Sequence, residues 1–210
     1  MKIILIRHAM TRGNMDRRYI GITDEPLCQE GIEQLRKRVT QGVYPVCDRV
    51  VVSPQRRCVQ TANIIYPGKT KEIEPDFMEC NFGKFEGKNH KELSSDKDYR
   101  CWVESNGTMP FPGGESVTGF KNRCALAFEN TVSADYQFTT YENIMRNRRK
   151  RQSEVAGEET VAMVIHGGTI MSIMERYDTD RKNYYDYMVD NCCGYLIDFD
   201  GERIKLLETI

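Results

Sequence analysis

Apolar residues recur along this chain in two rhythms, short unbroken runs and stripes at helical spacing, and the two alternate. The run Ile3-Ile4-Leu5-Ile6 predicts a strand over 2–6, since an unbroken run of strand length marks a strand buried on both faces. Ile32, Leu35 and Val39 then fall at helical spacing over 30–41, with Gly42 as a stop. A β-branched run at 49–53 predicts a second strand. Pro54 suits the opening of a helix that carries Val59, Ala62 and Ile65 and ends near Pro67-Gly68. A short strand fits 71–73. From 76 to 115 the periodicity fades into Gly, Pro, Asn and short helical pieces, as expected of a lid over a site.

A regular pattern returns with a helix over 116–132, where Phe120, Cys124, Ala127 and Phe128 share one face. A strand at 160–165 and a helix at 169–177 follow. The chain finishes with runs at 194–199 and 203–207 around Asp200-Gly201, a strong hairpin signal. Strands alternating with helices predict an α/β fold. The expectation is one domain over 1–210, a three-layer sandwich with a mostly parallel sheet flanked by helices, a lid insertion at about 76–115 and a C-terminal antiparallel hairpin.

Composition excludes more than it adds. The chain has 210 residues, 29% charged and 40% hydrophobic, with 30 basic and 31 acidic side chains. Such a balance predicts no blanket attraction to nucleic acid or membrane surfaces. The first apolar run stops at Arg7, too short for a signal-peptide core or a membrane span, and the expected compartment is the cytoplasm. Eight cysteines (28, 47, 58, 80, 101, 124, 192 and 193) show no C-x-x-C spacing, and there are three histidines. Free thiols are therefore expected rather than a zinc site or a disulfide framework. The basic run at 146–151 suits either a nucleic-acid or acidic partner or a solvated helix end; Glu154, Glu158 and Glu159 offset its charge and favour the latter.

The chemistry gathers at strand ends. The first strand runs into Arg7-His8, the second into Ser53-Pro54-Gln55-Arg56-Arg57, and the one at 160–165 into His166-Gly167-Gly168. Ligands of parallel sheets bind at the carboxyl ends of strands. Adjacent strands would bring two imidazoles, two or three guanidiniums and helix N-termini to one sheet edge. That set suits a phosphoryl group, with cations on its oxygens and a nitrogen nucleophile in line.

In sequence order, these blocks and others resemble the histidine phosphatase superfamily, also called phosphoglycerate-mutase-like. Its opening Arg-His-Gly-x-Thr-x-x-Asn reads here Arg7-His8-Ala9-Met10-Thr11-Arg12-Gly13-Asn14. Gly21, Asp24, Pro26, Leu27, Gly31 and Gln34 also fit, as do Ser53 to Ala62, Glu79-Cys80-Asn81-Phe82-Gly83 with Glu86-Gly87, Pro112 to Ser116 and Val164 to Gly168. The resemblance implies His8 as nucleophile, Arg7, Asn14 and Arg57 as phosphate ligands, His166 as a phosphoryl contact and Glu79 as acid and base, with no metal and no cofactor. It leaves Arg56 on the surface or behind the site, Glu86 as a structural carboxylate and His90 as an exposed lid residue. Ala9 departs from the family's glycine, which puts the local backbone geometry in question.

Three readings follow: a phosphomonoesterase for a small metabolite, a phosphoglycerate-type mutase, and a non-catalytic phospho-ligand binding protein. The full set of reactive groups disfavours the last. The short chain and the pattern of its lid disfavour the mutase. Among phosphatases, the 18–27 stretch and the blocks at 82–87 and 111–116 are most similar to the α-ribazole phosphatase branch, whose substrate belongs to cobalamin assembly; a broad sugar or nucleotide phosphatase is the alternative. The lid aromatics Phe85, Tyr99, Trp102 and Phe111 are expected mainly as the lid's own core, with stacking on a substrate base as the other option. The expected partner is a small phosphomonoester, with no nucleic acid and no membrane.

Overall fold

The computed structural model describes residues 1–133 and 159–210; the basic run at 146–151 lies outside the described residues. Strands β1 (Lys2–Arg7), β2 (Arg49–Val52), β3 (Lys71–Ile73), β4 (Thr160–Ile165), β5 (Gly194–Phe199) and β6 (Ile204–Thr209) form one sheet in the order β3-β2-β4-β1-β5-β6. The first four of that order run parallel, and β5 and β6 add antiparallel neighbours. The mixed sheet with a closing hairpin is the architecture expected from the alternating rhythms.

Position in the sheet explains the strand sequences. β1 and β4 are central, and Ile3, Ile4, Leu5, Ile6 and Val161 to Ile165 are all fully buried. Successive side chains point to opposite faces, so each run feeds two cores. Ile3, Leu5, Met163 and Ile165 pack under α6 (Val117–Val132) and α7 (Gly167–Tyr177), whereas Ile4, Ile6, Ala162 and Val164 pack under α2 (Gln29–Thr40) and α3 (Arg56–Ile65). A third, smaller cluster lies outside the sheet. Phe85, Leu93 and Phe111 of the lid meet Phe120 and Cys124 of α6, with Tyr19, Tyr99 and Trp102 against them.

Several boundaries differ from those the pattern predicts. α1 (Arg12–Met15) was not expected; Thr11 caps it and Asn14 completes a capping box, a polar signal without apolar period. The lid's helical pieces are α4 (His90–Leu93) and α5 (Lys97–Glu104). α7 begins at Gly167 rather than at 169, for a reason that belongs to the site. All eight cysteines are free. No helix among the described residues is long and apolar enough to cross a membrane.

Candidate active site

Register fixes the site. β1 and β4 pair parallel with Arg7 opposite Ile165, so His8 and His166 leave the sheet side by side. His8 N–H donates to Ile165 O at 2.9 Å, and the two rings meet edge to face with centroids 5.1 Å apart. β2 lies on the other side of β4, which delivers Ser53 and α3 to the same edge.

His8 is almost wholly buried, and its Nδ1 lies 2.8 Å from Ala9 O. A carbonyl only accepts, so Nδ1 carries the hydrogen and Nε2 keeps its lone pair. Burial, reinforced by Arg57 and Arg7, holds the imidazole well below its usual pKa and therefore neutral. Ala9 itself is buried, its N–H donates to Thr61 Oγ1 at 2.9 Å, and it is not among the residues with positive φ. The added methyl in place of glycine therefore fits without backbone strain.

His166 is fully buried, with Nε2 2.8 Å from Ser53 Oγ and Nδ1 3.3 Å from Arg57 Nε. The guanidinium can only donate, so Nδ1 accepts and Nε2–H donates to Ser53. Burial and Arg57 hold this ring neutral too. Cys58 Sγ lies 3.5 Å from Nε2. Arg57, 1% exposed, spans the site and donates to Thr23 O at 2.8 Å, Gly21 O at 2.9 Å and Gln55 Oε1 at 3.1 Å. Its neighbour Arg56 is exposed, as helix geometry turns consecutive residues apart.

Arg7 donates through Nη1 to Val189 O at 2.7 Å, and its buried Nε has no partner among the described residues. Asn14 Oδ1 accepts from Thr11 N at 3.1 Å and from Asn191 Nδ2 at 3.3 Å, which leaves its own Nδ2 hydrogens as the available donors. Asn191 also donates to His8 O at 2.9 Å, so one amide ties Asn14 to the His8 segment.

Glu79 sits on the N-terminus of α7. Its Oε2 accepts from Gly168 N at 3.2 Å and its Oε1 from Cys80 N at 2.9 Å. Withdrawal from water pushes this carboxyl above the usual range, against the pull of those N–H groups and of Arg57 and Arg7. A Cβ on Gly168 would stand 2.5 Å from Glu79 Oε1, and one on Gly167 would stand 3.3 Å from Arg7 Nε. These two glycines are thus helical but bare because the acid and the cation press against them, and a reading by propensity places them outside the helix. Glu86 instead holds the 21–23 loop, accepting from Ile22 N at 2.9 Å and Thr23 Oγ1 at 2.8 Å. His90 is exposed.

A cavity of about 510 Å³ opens over this floor. Arg7, Glu79, Gly167 and Gly168 line its polar end, and the rest is largely aromatic, including Tyr19, Phe82, Trp102, Phe111, Phe120 and Tyr184. His8, Asn14, Arg57 and His166 are not among its lining residues. Phe85 and Tyr99 belong to the lid's core, whereas Trp102 and Phe111 serve both that core and the cavity wall. Ser53, Gln55 and Asn191 are site residues the sequence reading did not assign. The first two lie inside a block quoted for its arginine, and no periodicity separates a buried polar residue at a strand end from an exposed one. Asn191 lies in a loop without pattern.

This arrangement, with a profile of the histidine phosphatase superfamily (branch 1) matching residues 3–209, shows that the chain belongs to that superfamily. It is a phosphatase, as the relatives below are named. Phosphoserine phosphatase 1 of Hydrogenobacter thermophilus is 26% identical over 212 residues, 99% of this chain and 91% of its own. The adenosylcobalamin/alpha-ribazole phosphatase of Escherichia coli K12 is 28% identical over 211 residues, 98% of this chain and 94% of its own. The alpha-ribazole phosphatase of Shigella flexneri has the same fold, with a TM-score of 0.73 at 24% identity over 99% of this chain and 95% of that one.

Proposed function

We propose that this phosphatase hydrolyses a small phosphomonoester through a phosphohistidine at His8, and that its substrate carries a flat aromatic group, as α-ribazole 5′-phosphate does. The observation that carries the reading is the hydrogen bond from His8 Nδ1 to Ala9 O, which commits the nucleophilic lone pair to Nε2 beside Arg7, Arg57 and His166. His8 Nε2 bonds to phosphorus as the ester P–O bond breaks, and Glu79 gives its proton to the departing oxygen. Its raised pKa keeps that proton available at higher pH than an ordinary carboxyl would. The Glu79 carboxylate then takes a proton from water, whose oxygen attacks phosphorus, and the N–P bond breaks to release phosphate and neutral His8.

Arg7 Nε, a donor without a partner among the described residues, and Arg57 hold the phosphoryl oxygens with Asn14 Nδ2. His166 exchanges its bond to Ser53 for a phosphoryl oxygen and stabilises the charge that develops there.

The cavity wall supports the aromatic substrate. Free phosphoserine brings an ammonium and a carboxylate, yet beyond Arg7 and Glu79 the wall's further charge is Lys121, held by Glu175 at 2.6 Å and lying over the Tyr184 ring. Aromatic walls reward a stacked ring instead.

The test is a panel of α-ribazole 5′-phosphate, phosphoserine, sugar phosphates, nucleotides and 3-phosphoglycerate, scored for phosphate release and for isomerisation. The highest kcat/KM is expected for α-ribazole 5′-phosphate, with no isomerisation. Preference for phosphoserine or a sugar phosphate contradicts the substrate, and isomerisation of 3-phosphoglycerate contradicts the hydrolase.

A further inference from the structure

Arg57 and Glu79 come from different segments, yet one buried side chain touches both. Gln55, 3% exposed, stands at the N-cap of α3 but makes no cap hydrogen bond there. Asp24 takes that place, accepting from Arg56 N at 2.7 Å. The Gln55 amide is spent on the site. Its Oε1 accepts from Arg57 Nη2 at 3.1 Å and from Glu79 N at 3.1 Å. Its Nε2 donates at 2.7 Å to Gly21 O, the carbonyl that also accepts from Arg57 Nη2 at 2.9 Å.

We propose that Gln55 is a positioning residue that registers the leaving-group acid against the phosphate-binding guanidinium. A carbonyl oxygen has two lone pairs, and Gln55 Oε1 gives one to each partner. The separation between the Arg57 guanidinium and the Glu79 backbone is thus set through a single atom. Removing that oxygen leaves Arg57 with its bonds to Thr23 O, Gly21 O and His166 but takes the side-chain acceptor from the part-buried Glu79 N–H, and the Glu79 segment shifts to find another. An acid misplaced by a fraction of an ångström still leaves the nucleophile and the cations in place, so the loss falls on esters that need protonation to leave.

This inference rests on Glu79 as the leaving-group acid, and the experiment separates the two. Gln55→Met, Gln55→Glu, Glu79→Gln and the double variant Gln55→Met/Glu79→Gln are compared by kcat/KM, which reports phosphoryl transfer to the enzyme, on an alkyl phosphate and on p-nitrophenyl phosphate. Gln55→Met is expected to lower the alkyl ester by about 10²-fold and the activated ester by less than about 5-fold. Gln55→Glu keeps an acceptor oxygen and recovers part of the alkyl activity. Its added anion beside Glu79 also moves the basic limb of the pH profile to higher pH. In the Glu79→Gln background, Gln55→Met adds no further discrimination, because it acts through Glu79.

Equal losses for both esters in Gln55→Met, with Glu79→Gln still selective, overturn the positioning role, as does undiminished discrimination added in the double variant. If Glu79→Gln is itself unselective, the acid assignment falls and this inference with it. Should Gln55→Met not fold, an unmoved basic limb in Gln55→Glu overturns the proposal.

Discussion

The polar floor of the site, around His8, Arg57 and His166, and the aromatic lid are built on opposite principles. At the floor, charged and polar side chains are buried and heavily bonded: Arg57 makes hydrogen bonds to Thr23, Gly21, Gln55 and His166, and His8 is held to one tautomer by one carbonyl. In the lid, rings meet edge to face, as Phe82 does with Phe111 at 5.0 Å and Phe85 with Tyr99 at 5.3 Å. Buried hydrogen-bonded charge tolerates little substitution, because each lost partner strands another polar group. Ring packing tolerates exchange of shape and volume. One fold can therefore keep its phosphoryl chemistry fixed while its lid changes what is admitted.

Breaking the floor should be far costlier than breaking the lid. The largest effect is expected for His8→Asn, with turnover of every phosphomonoester lowered by at least about 10⁴-fold and thermal unfolding little changed; a loss confined to one substrate would place the nucleophile elsewhere. Gly168→Ala comes next. Its methyl meets Glu79 Oε1 at 2.5 Å and the Phe120 ring at 3.1 Å, so the Glu79 carboxyl must move. Alkyl ester kcat/KM should fall by roughly 10- to 100-fold, measured against p-nitrophenyl phosphate as the less affected reference. The smallest effect belongs to the lid. Trp102→Leu should raise KM for the aromatic substrate by about 5- to 10-fold, a change worth about 1 kcal/mol, and leave a small aliphatic phosphate unchanged. Equal change for both would make Trp102 lid core alone.

The same contrast governs what the chain discloses before folding. Strands β1 and β4 are legible because central parallel strands need unbroken apolar runs, and the residues after them are legible because a sheet edge is where such runs stop. The family's Ser-Pro-x-x-Arg spacing picks out Arg57, and helix geometry then turns Arg56 away from it. The supporting polar groups were hidden. Gln55, Ser53 and Asn191 make side-chain hydrogen bonds to segments distant in sequence, and no local period encodes those. The start of α7 was hidden for a related reason: Gly167 and Gly168 read as loop, yet they are bare to admit Arg7 and Glu79. The lid gave composition without register, so its aromatics were recognisable as a group but not divisible into core and wall. Phe85 and Tyr99 fall on one side of that division, and Trp102 and Phe111 stand on both.

The account turns on a covalent bond between His8 Nε2 and phosphorus. Rapid quench under alkaline conditions during turnover, followed by peptide mass spectrometry, measures it directly. The expected result is a single acid-labile phosphoryl group on His8, formed at a rate no slower than turnover and absent from His8→Asn. A wild-type enzyme that turns over without a phosphoenzyme, or one that carries the phosphoryl group on another side chain, contradicts it.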